Sequence, residues 1–223
     1  MVHSGRAGRW FCAATTSSGF LAFAPARERF GKKAKWSATN VSVFVADPRL
    51  QGRIVRRVAF TAEQISERVR QLGNDVGAAY PNGDLLVLGL LKGSFIFVSD
   101  LVRQVLRPLQ VDFLVVSSYG NETVSSGHVR LVYDPQAELT GRHILLVEDI
   151  IDSGRTLSRV IEVLEERRPA SIEVCALLDK HHATHLTHPP RFVGFDAPNE
   201  FLVGYGLDHA ENFRHLPYIA SLE

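Results

Sequence analysis

The sequence predicts an α/β fold, an open and mainly parallel sheet flanked by helices. Five short apolar runs, at residues 85–90, 111–116, 144–147, 172–178 and 201–205, have the length and branched side chains of strands buried on both faces. Helical patterns at 95–106 and 156–167 lie between several of them, the second with Leu157, Val160, Ile161 and Leu164 on one face. Strands alternating with helices call for crossovers, and crossovers make neighbouring strands parallel. In such sheets ligands bind beyond the carboxyl ends of the strands, so the residues that follow each apolar run are the ones to read for chemistry.

In chain order, residues 1–46 differ in composition from the rest: Arg6, Arg9, Arg27, Arg29, Lys32, Lys33 and Lys35 stand against a single acid, Glu28, among many Ser, Thr, Ala and Gly. That pattern fits a mitochondrial or plastid transit peptide and equally a disordered tail. Residues 1–50 are therefore set apart as a leader, and 51–223 are assigned to one folded domain. A short strand ends at Phe60, and Thr61 with Gln64 has capping-box spacing. Ile65, Val69, Leu72 and Val76 form one stripe, so a helix runs to about Ala79 and stops at Pro81 and Gly83.

Composition narrows the function. Of the 223 residues, 25 are Lys or Arg and 24 are Asp or Glu, so no overall positive charge exists to hold a nucleic acid or an anionic membrane. The longest apolar stretch, 85–91, is too short for a transmembrane helix. Cys12 and Cys175 lack the spacing of a zinc site or disulfide scaffold and read as structural thiols in a reducing compartment.

The richest segment follows the third run. Ile144, Leu145, Leu146 and Val147 lead into Glu148 and Asp149, then Ile150, Ile151, Asp152, Ser153, Gly154, Arg155 and Thr156. Adjacent carboxylates at the end of a buried strand are costly to desolvate and call for cations, hydroxyls or water. Ser153, Gly154 and Thr156 then open a helix, whose free N–H groups and dipole favour a phosphate. No glycine-rich run ending in Lys-Ser or Lys-Thr is present, which disfavours nucleotide hydrolysis of the Walker type.

This stretch, residues 147–156, resembles the phosphoribosyl pyrophosphate motif of the type I phosphoribosyltransferases, and most closely that of their hypoxanthine-guanine branch. The resemblance extends over residues 54–222. It implies the type I fold, with a small hood and a flexible lid loop beside the sheet. By this resemblance Glu148 and Asp149 hold the ribose hydroxyls and magnesium, while Ser153, Gly154, Arg155 and Thr156 hold the 5-phosphate. Asp152 faces N7 of the base as the acid that accepts or relays its proton, helped by desolvation in a closed site. Lys92 and Gly93 match the family's pyrophosphate loop, a dipeptide whose peptide bond is often cis, and Arg214 matches a pyrophosphate ligand. Ser118 and Tyr119 match the lid's Ser-Tyr pair, in a segment that by itself reads as a long hairpin loop between two strands. Lys180 is implied to face the oxygen at C6 of the purine, selecting oxo over amino purines because an amino group cannot accept its hydrogen bond. Phe201 is implied to stack on the base, although an aromatic in an apolar run is more often core. Leu202 is implied to contact the base through its backbone, and Asp208 to bind a second magnesium.

The implied activity is purine salvage: transfer of the 5-phosphoribosyl group from phosphoribosyl pyrophosphate to N9 of hypoxanthine or guanine, with xanthine a third candidate. The resemblance also implies magnesium as cofactor, a homo-oligomer (dimer or tetramer) and a cytoplasmic setting, with a plastid or mitochondrion as the alternative through the leader. Two departures stand out. His181, His182, His185 and His188 follow Lys180 where the family usually has a proline, and read better as a solvated loop than as a metal site. His209 stands where an aromatic ring is common, which leaves the order of base preference open. Two rivals remain: a non-catalytic sensor of phosphoribosyl pyrophosphate that binds RNA or DNA, and an adenine or pyrimidine transferase. The presence of Asp152, Lys180 and Phe201 counts against the first, and Lys180 with residues 201–208 against the second.

Overall fold

A computed structural model describes residues 47–50, 52–81, 84–118, 129–183 and 186–223. The leader, apart from Asp47 and a short 3-10 turn at Pro48–Leu50, lies outside these residues, as do Cys12, Tyr119 and most of the lid segment. The described chain continues with β1 (Val55–Phe60) and α1 (Ala62–Ala79). Then follow β2 (Leu85–Leu91), α2 (Phe95–Val102), β3 (Gln110–Ser118), β4 (Val129–Tyr133) and β5 (His143–Ile151). The last elements are α3 (Arg155–Glu165), β6 (Ser171–Asp179), β7 (Phe192–Asp196), β8 (Leu202–Val203) and β9 (Ile219–Leu222).

The main sheet has the order β4-β3-β2-β5-β6-β7. Its strands pair in parallel except for β4, which runs antiparallel to β3 and so makes the residues around the lid segment a hairpin. Side chains alternate across the sheet. Leu85 and Val87 of β2, with Leu145 and Val147 of β5, pack with α1 and α2 through Leu72, Val76, Phe97 and Leu101. Leu86 and Leu88 of β2, with Ile144 and Leu146 of β5, pack instead with Leu157, Val160, Ile161 and Leu164 of α3. Cys175 sits in the first of these layers as a free thiol, and burial pushes its pKa up, as a structural thiol requires.

The helix start expected at Thr61 is present in full: Gln64 N–H donates to Thr61 Oγ1 (3.3 Å), and Thr61 N–H donates to Gln64 Oε1 (2.9 Å). Arg68 of α1 donates to the carbonyls of Gly194 (2.9 Å) and Val193 (2.7 Å), covering the edge strand β7 with a guanidinium.

Several elements differ from the sequence reading. Residues 201–205 do not form a strand of the parallel sheet. Only Leu202 and Val203 are extended, in a separate antiparallel sheet of order β1-β9-β8, because Gly204, Tyr205 and Gly206 all take positive φ (98°, 50° and 104°) and turn the chain away. Helix α2 stops at Val102 rather than 106: Gln104 N–H donates to Leu101 O in a tightened turn, and Leu106 is 82% exposed. Strand β7 went unread because Gly194 interrupts a five-residue run, yet a Cβ there would lie 2.4 Å from Leu177 O of β6, so close strand approach demands the glycine.

Candidate active site

Parallel strands β2, β5 and β6 end side by side, and their ends and the segments leaving them carry Lys92 and Gly93, residues 148–156, and Lys180. Glu148 and Asp149 lie near the end of β5. Glu148 Oε2 is shielded from solvent and has no hydrogen-bond partner, while Asp149 Oδ1 accepts from the Ile150 N–H at 2.9 Å. Desolvation, with repulsion from Asp149, raises the Glu148 carboxyl well above its usual range. Desolvation also lifts Asp149 to about 6, against the pull of backbone N–H groups and Arg214. Two carboxyls with raised proton affinity, one holding a buried bare oxygen, form a site for a cation or for hydroxyl donors. These hard oxygen donors fit magnesium, which would take its remaining oxygen ligands from water and substrate. Among the described residues no three of His, Cys, Asp and Glu are grouped to hold a metal unaided.

The loop after β2 packs directly on Asp149. A Cβ on Gly93 would fall 1.6 Å from Asp149 Oδ2, so only glycine fits at that position. A cis peptide bond is present in this loop, but it joins Leu91 to Lys92, one link earlier than the expected Lys92-Gly93. The glycine is required by the approach of Asp149 rather than by an isomer of the bond before it. Gly206 closes the stack from the other side, since its Cβ would meet Gly93 O at 2.0 Å. Asp149, Gly93 and Gly206 thus bring β5, the loop after β2 and the turn after β8 together.

Around that stack the cations are held by acids. Arg214 donates to Gly206 O (2.8 Å) and pairs with Asp208 (2.8 Å) and Glu211 (3.3 Å), while Lys92 pairs with Glu211 (3.0 Å). Asp208 Oδ2 accepts from the Glu211 N–H at 2.8 Å, so both its oxygens are engaged. A magnesium ion on Asp208 would share its oxygens with these contacts. Glu211, which the sequence reading missed, bridges the two cations expected to meet pyrophosphate; its only signal was an acid three residues before Arg214.

Beyond β5 the chain turns outward. Ser153, Arg155 and Thr156 are exposed, and Gly154 caps α3 in the left-handed region (φ 73°) with Leu186 packed where a Cβ would sit (2.6 Å). Asp152 is 60% exposed on its side chain, so the fold alone does not desolvate it: β5 has ended at Ile151 and residue 152 faces solvent. Lys180, whose side chain is only 14% exposed, reaches Asp152 Oδ2 at 3.2 Å. Nearby His182 Nδ1 lies 3.7 Å from Asp152 Oδ1. His188 pairs with Glu165 (3.0 Å), and His185 lies outside the described residues. Phe201 is 62% exposed rather than core, with the His209 ring edge-on at 5.4 Å, and Leu202 is buried. The described part of the lid ends at Ser118 of β3.

Comparison with known proteins identifies the family and the fold. The phosphoribosyl transferase domain family matches residues 53–210. The hypoxanthine-guanine phosphoribosyltransferase of Dictyostelium discoideum is 44% identical over 172 residues, 75% of this chain and 96% of that protein. The bifunctional protein TilS/HprT of Listeria innocua is 44% identical over 169 residues, but the chain spans only 26% of its length. A crystal structure of a hypoxanthine phosphoribosyltransferase from Staphylococcus aureus superposes with a TM-score of 0.73 at 37% identity, covering 76% of this chain and 92% of that one. With its acid pair at the end of a central parallel strand and relatives of this similarity, the chain belongs to the phosphoribosyl transferase domain family, in its type I fold.

Proposed function

We propose that the chain is a purine-salvage enzyme that transfers the 5-phosphoribosyl group of phosphoribosyl pyrophosphate to N9 of hypoxanthine or guanine, giving IMP or GMP and pyrophosphate. The observation that carries this reading is the buried acid pair Glu148 and Asp149, one oxygen of it unpartnered, packed against Gly93. Such a pair is costly to keep unless a ligand rich in hydroxyls, with its cation, fills the site. In this reading Glu148 and Asp149 bind the ribose hydroxyls, and Ser153, Gly154, Arg155 and Thr156 receive the 5-phosphate at the N-terminus of α3. Lys92, Gly93 and Arg214 take the pyrophosphate, exchanging Glu211 and Asp208 for phosphate oxygens. Glu148, Asp149 and Asp208 would hold magnesium, which would supply positive charge to offset that of the leaving pyrophosphate.

The base enters between Phe201 and the Lys180-Asp152 pair. Phe201, already exposed, offers a stacking face; Leu202 supplies backbone contacts; Lys180 donates to the oxygen at C6. Asp152, released from Lys180 by the arriving base, takes or relays the N7 proton. Bond exchange at C1 of the ribose needs no covalent nucleophile from the protein, so positioning and charge complementarity supply the rate. The lid residues Ser118 and Tyr119 would close over the site and exclude water from the sugar cation. Nothing among the relatives favours the non-catalytic sensor. The reading includes self-association and a cytoplasmic setting; delivery of a fluorescent protein to an organelle by fused residues 1–46 would move it there.

The test is nucleotide formation by the purified chain with phosphoribosyl pyrophosphate and magnesium, offering hypoxanthine, guanine, xanthine, adenine and uracil separately. Product from oxopurines and none from adenine or uracil is expected. Phosphoribosyl pyrophosphate binding with no product from any base would overturn the enzyme reading.

A further inference from the structure

We propose that His181 is a positioning residue for oxopurine selection: its ring ties the ends of β6 and β7 together and thereby fixes the adjacent Lys180. The inference rests on the reading of Lys180 as the donor to the base. Strands β6 and β7 end in register, Asp179 opposite Asp196. His181 bridges the two carboxylates, with Nδ1 3.1 Å from Asp179 Oδ2 and Nε2 2.8 Å from Asp196 Oδ1. Its backbone N–H also donates to Asp179 Oδ1 at 2.8 Å. Asp179 is buried at 7% exposure, so this carboxylate depends on His181 for both the main-chain and the ring contact.

Lys180 lies between this clamp and β5. Its N–H donates to Ile151 O at 3.0 Å, and its side chain lies along the protein surface to Asp152 with little exposure. The chain then turns at once, because His181 has φ 56°. A proline at 181 could neither take that φ nor donate to Asp179. The two carboxylates therefore hold the turn that aims Lys180, and a lysine left to swing loses the directional bond that separates an oxygen acceptor from an amino group.

Two substitutions separate ring from backbone. His181→Gly removes the ring while accepting the left-handed φ, and His181→Asn tolerates that φ and keeps a short side-chain donor toward Asp179. With phosphoribosyl pyrophosphate saturating, His181→Gly is expected to raise the KM for hypoxanthine and guanine about tenfold with kcat within about threefold and the phosphoribosyl pyrophosphate KM within about twofold. His181→Asn should recover most of the loss. His188→Ala, at the far end of the same loop, should change none of these values. A base KM unchanged in His181→Gly, or one that rises only in step with the phosphoribosyl pyrophosphate KM, would overturn the proposal. Nitrogen-15 imidazole spectra of the substrate-free chain read the clamp independently of turnover: a His181 ring held in one orientation with Nε2 hydrogen-bonded supports it, and a freely exchanging ring overturns it. If the clamp is seen but no oxopurine is consumed by the wild-type chain, the transferase reading fails and the clamp stands.

Discussion

Asp152 and Glu148 are both acids of one ten-residue segment, and their surroundings give them opposite properties. Asp152 is exposed and paired with Lys180, so its removal should leave the fold and the proposed phosphate sites in place. Asp152→Asn is expected to lower kcat about 100- to 1,000-fold with the KM for phosphoribosyl pyrophosphate within about threefold. Equal losses in both, measured by steady-state kinetics, would exclude it as the proton acceptor. Glu148 is buried, and desolvation raises its carboxyl well above the usual range, as it raises Asp149 to about 6. The folded protein therefore holds protons that the unfolded chain has already released, and ligand-free stability falls as pH climbs from the unfolded carboxylate range through these raised values. Replacing Glu148 by Gln removes a charge that burial penalises. The ligand-free variant should be more stable than the parent by about 1–3 kcal/mol at pH 8, with the difference gone by about pH 5, and should no longer bind phosphoribosyl pyrophosphate. Chemical denaturation with chelator present, at the two pH values, measures it; equal stability at pH 8 would mean that water or a neighbour satisfies Glu148 after all.

At the scale of elements, the candidate site is built where glycines let two loops touch each other and the end of β5. Gly206 and Gly141 both take positive φ (104° and 73°), but a Cβ on Gly206 would strike Gly93 O at 2.0 Å whereas Gly141 faces open space. Alanine at 141 meets only the backbone penalty, about 1 kcal/mol; alanine at 206 adds a collision with main chain and should cost about 2–4 kcal/mol. Thermal unfolding of the two variants separates the terms, and equal losses would show that the loops do not pack as described. These contacts mark the limit of what the sequence could reveal. The acid pair, the Ser-Gly-Arg-Thr turn and the capping box at Thr61 were legible because each is a local pattern along one segment. Tyr205, whose hydroxyl donates to Asp100 Oδ2 at 2.7 Å and joins the turn after β8 to α2, was read only as the end of a strand. Its partner lies 105 residues away, and no periodicity reports such a pair. The cis bond at Leu91-Lys92 was likewise assigned to the neighbouring link because residue types do not say which bond of a loop is turned.

At the scale of the whole described chain, two sheets divide the work. The mainly parallel sheet carries the residues proposed for phosphate and ribose at its strand ends, and its strands β2, β3, β5 and β6 were legible as apolar runs. The antiparallel sheet was not, because β9 reads Ile-Ala-Ser-Leu and β8 is only two residues long, so neither has a pattern that stands out from loop. Yet β9 is the central strand of that sheet, paired with β1 on one side and β8 on the other, and Glu223 N–H donates to Ile54 O beside it. Ile219 and Ala220 are fully buried. Through β8 this strand supports Phe201 and Leu202, the proposed walls for the base, and it is paired with β1 and β8 rather than with a strand of the parallel sheet. Deleting residues 219–223 should therefore separate the two halves of the active site. The truncated chain should keep phosphoribosyl pyrophosphate binding within about tenfold, losing the buried side chains' contribution of several kcal/mol to stability but not the parallel sheet. Base-dependent turnover should fall by at least about 100-fold, because the stacking face and the backbone contacts lose their support. Calorimetric titration with phosphoribosyl pyrophosphate beside the turnover assay distinguishes the outcomes: loss of both in parallel would mean that the two sheets fold as one cooperative unit, whereas turnover retained would remove the hood from the base site.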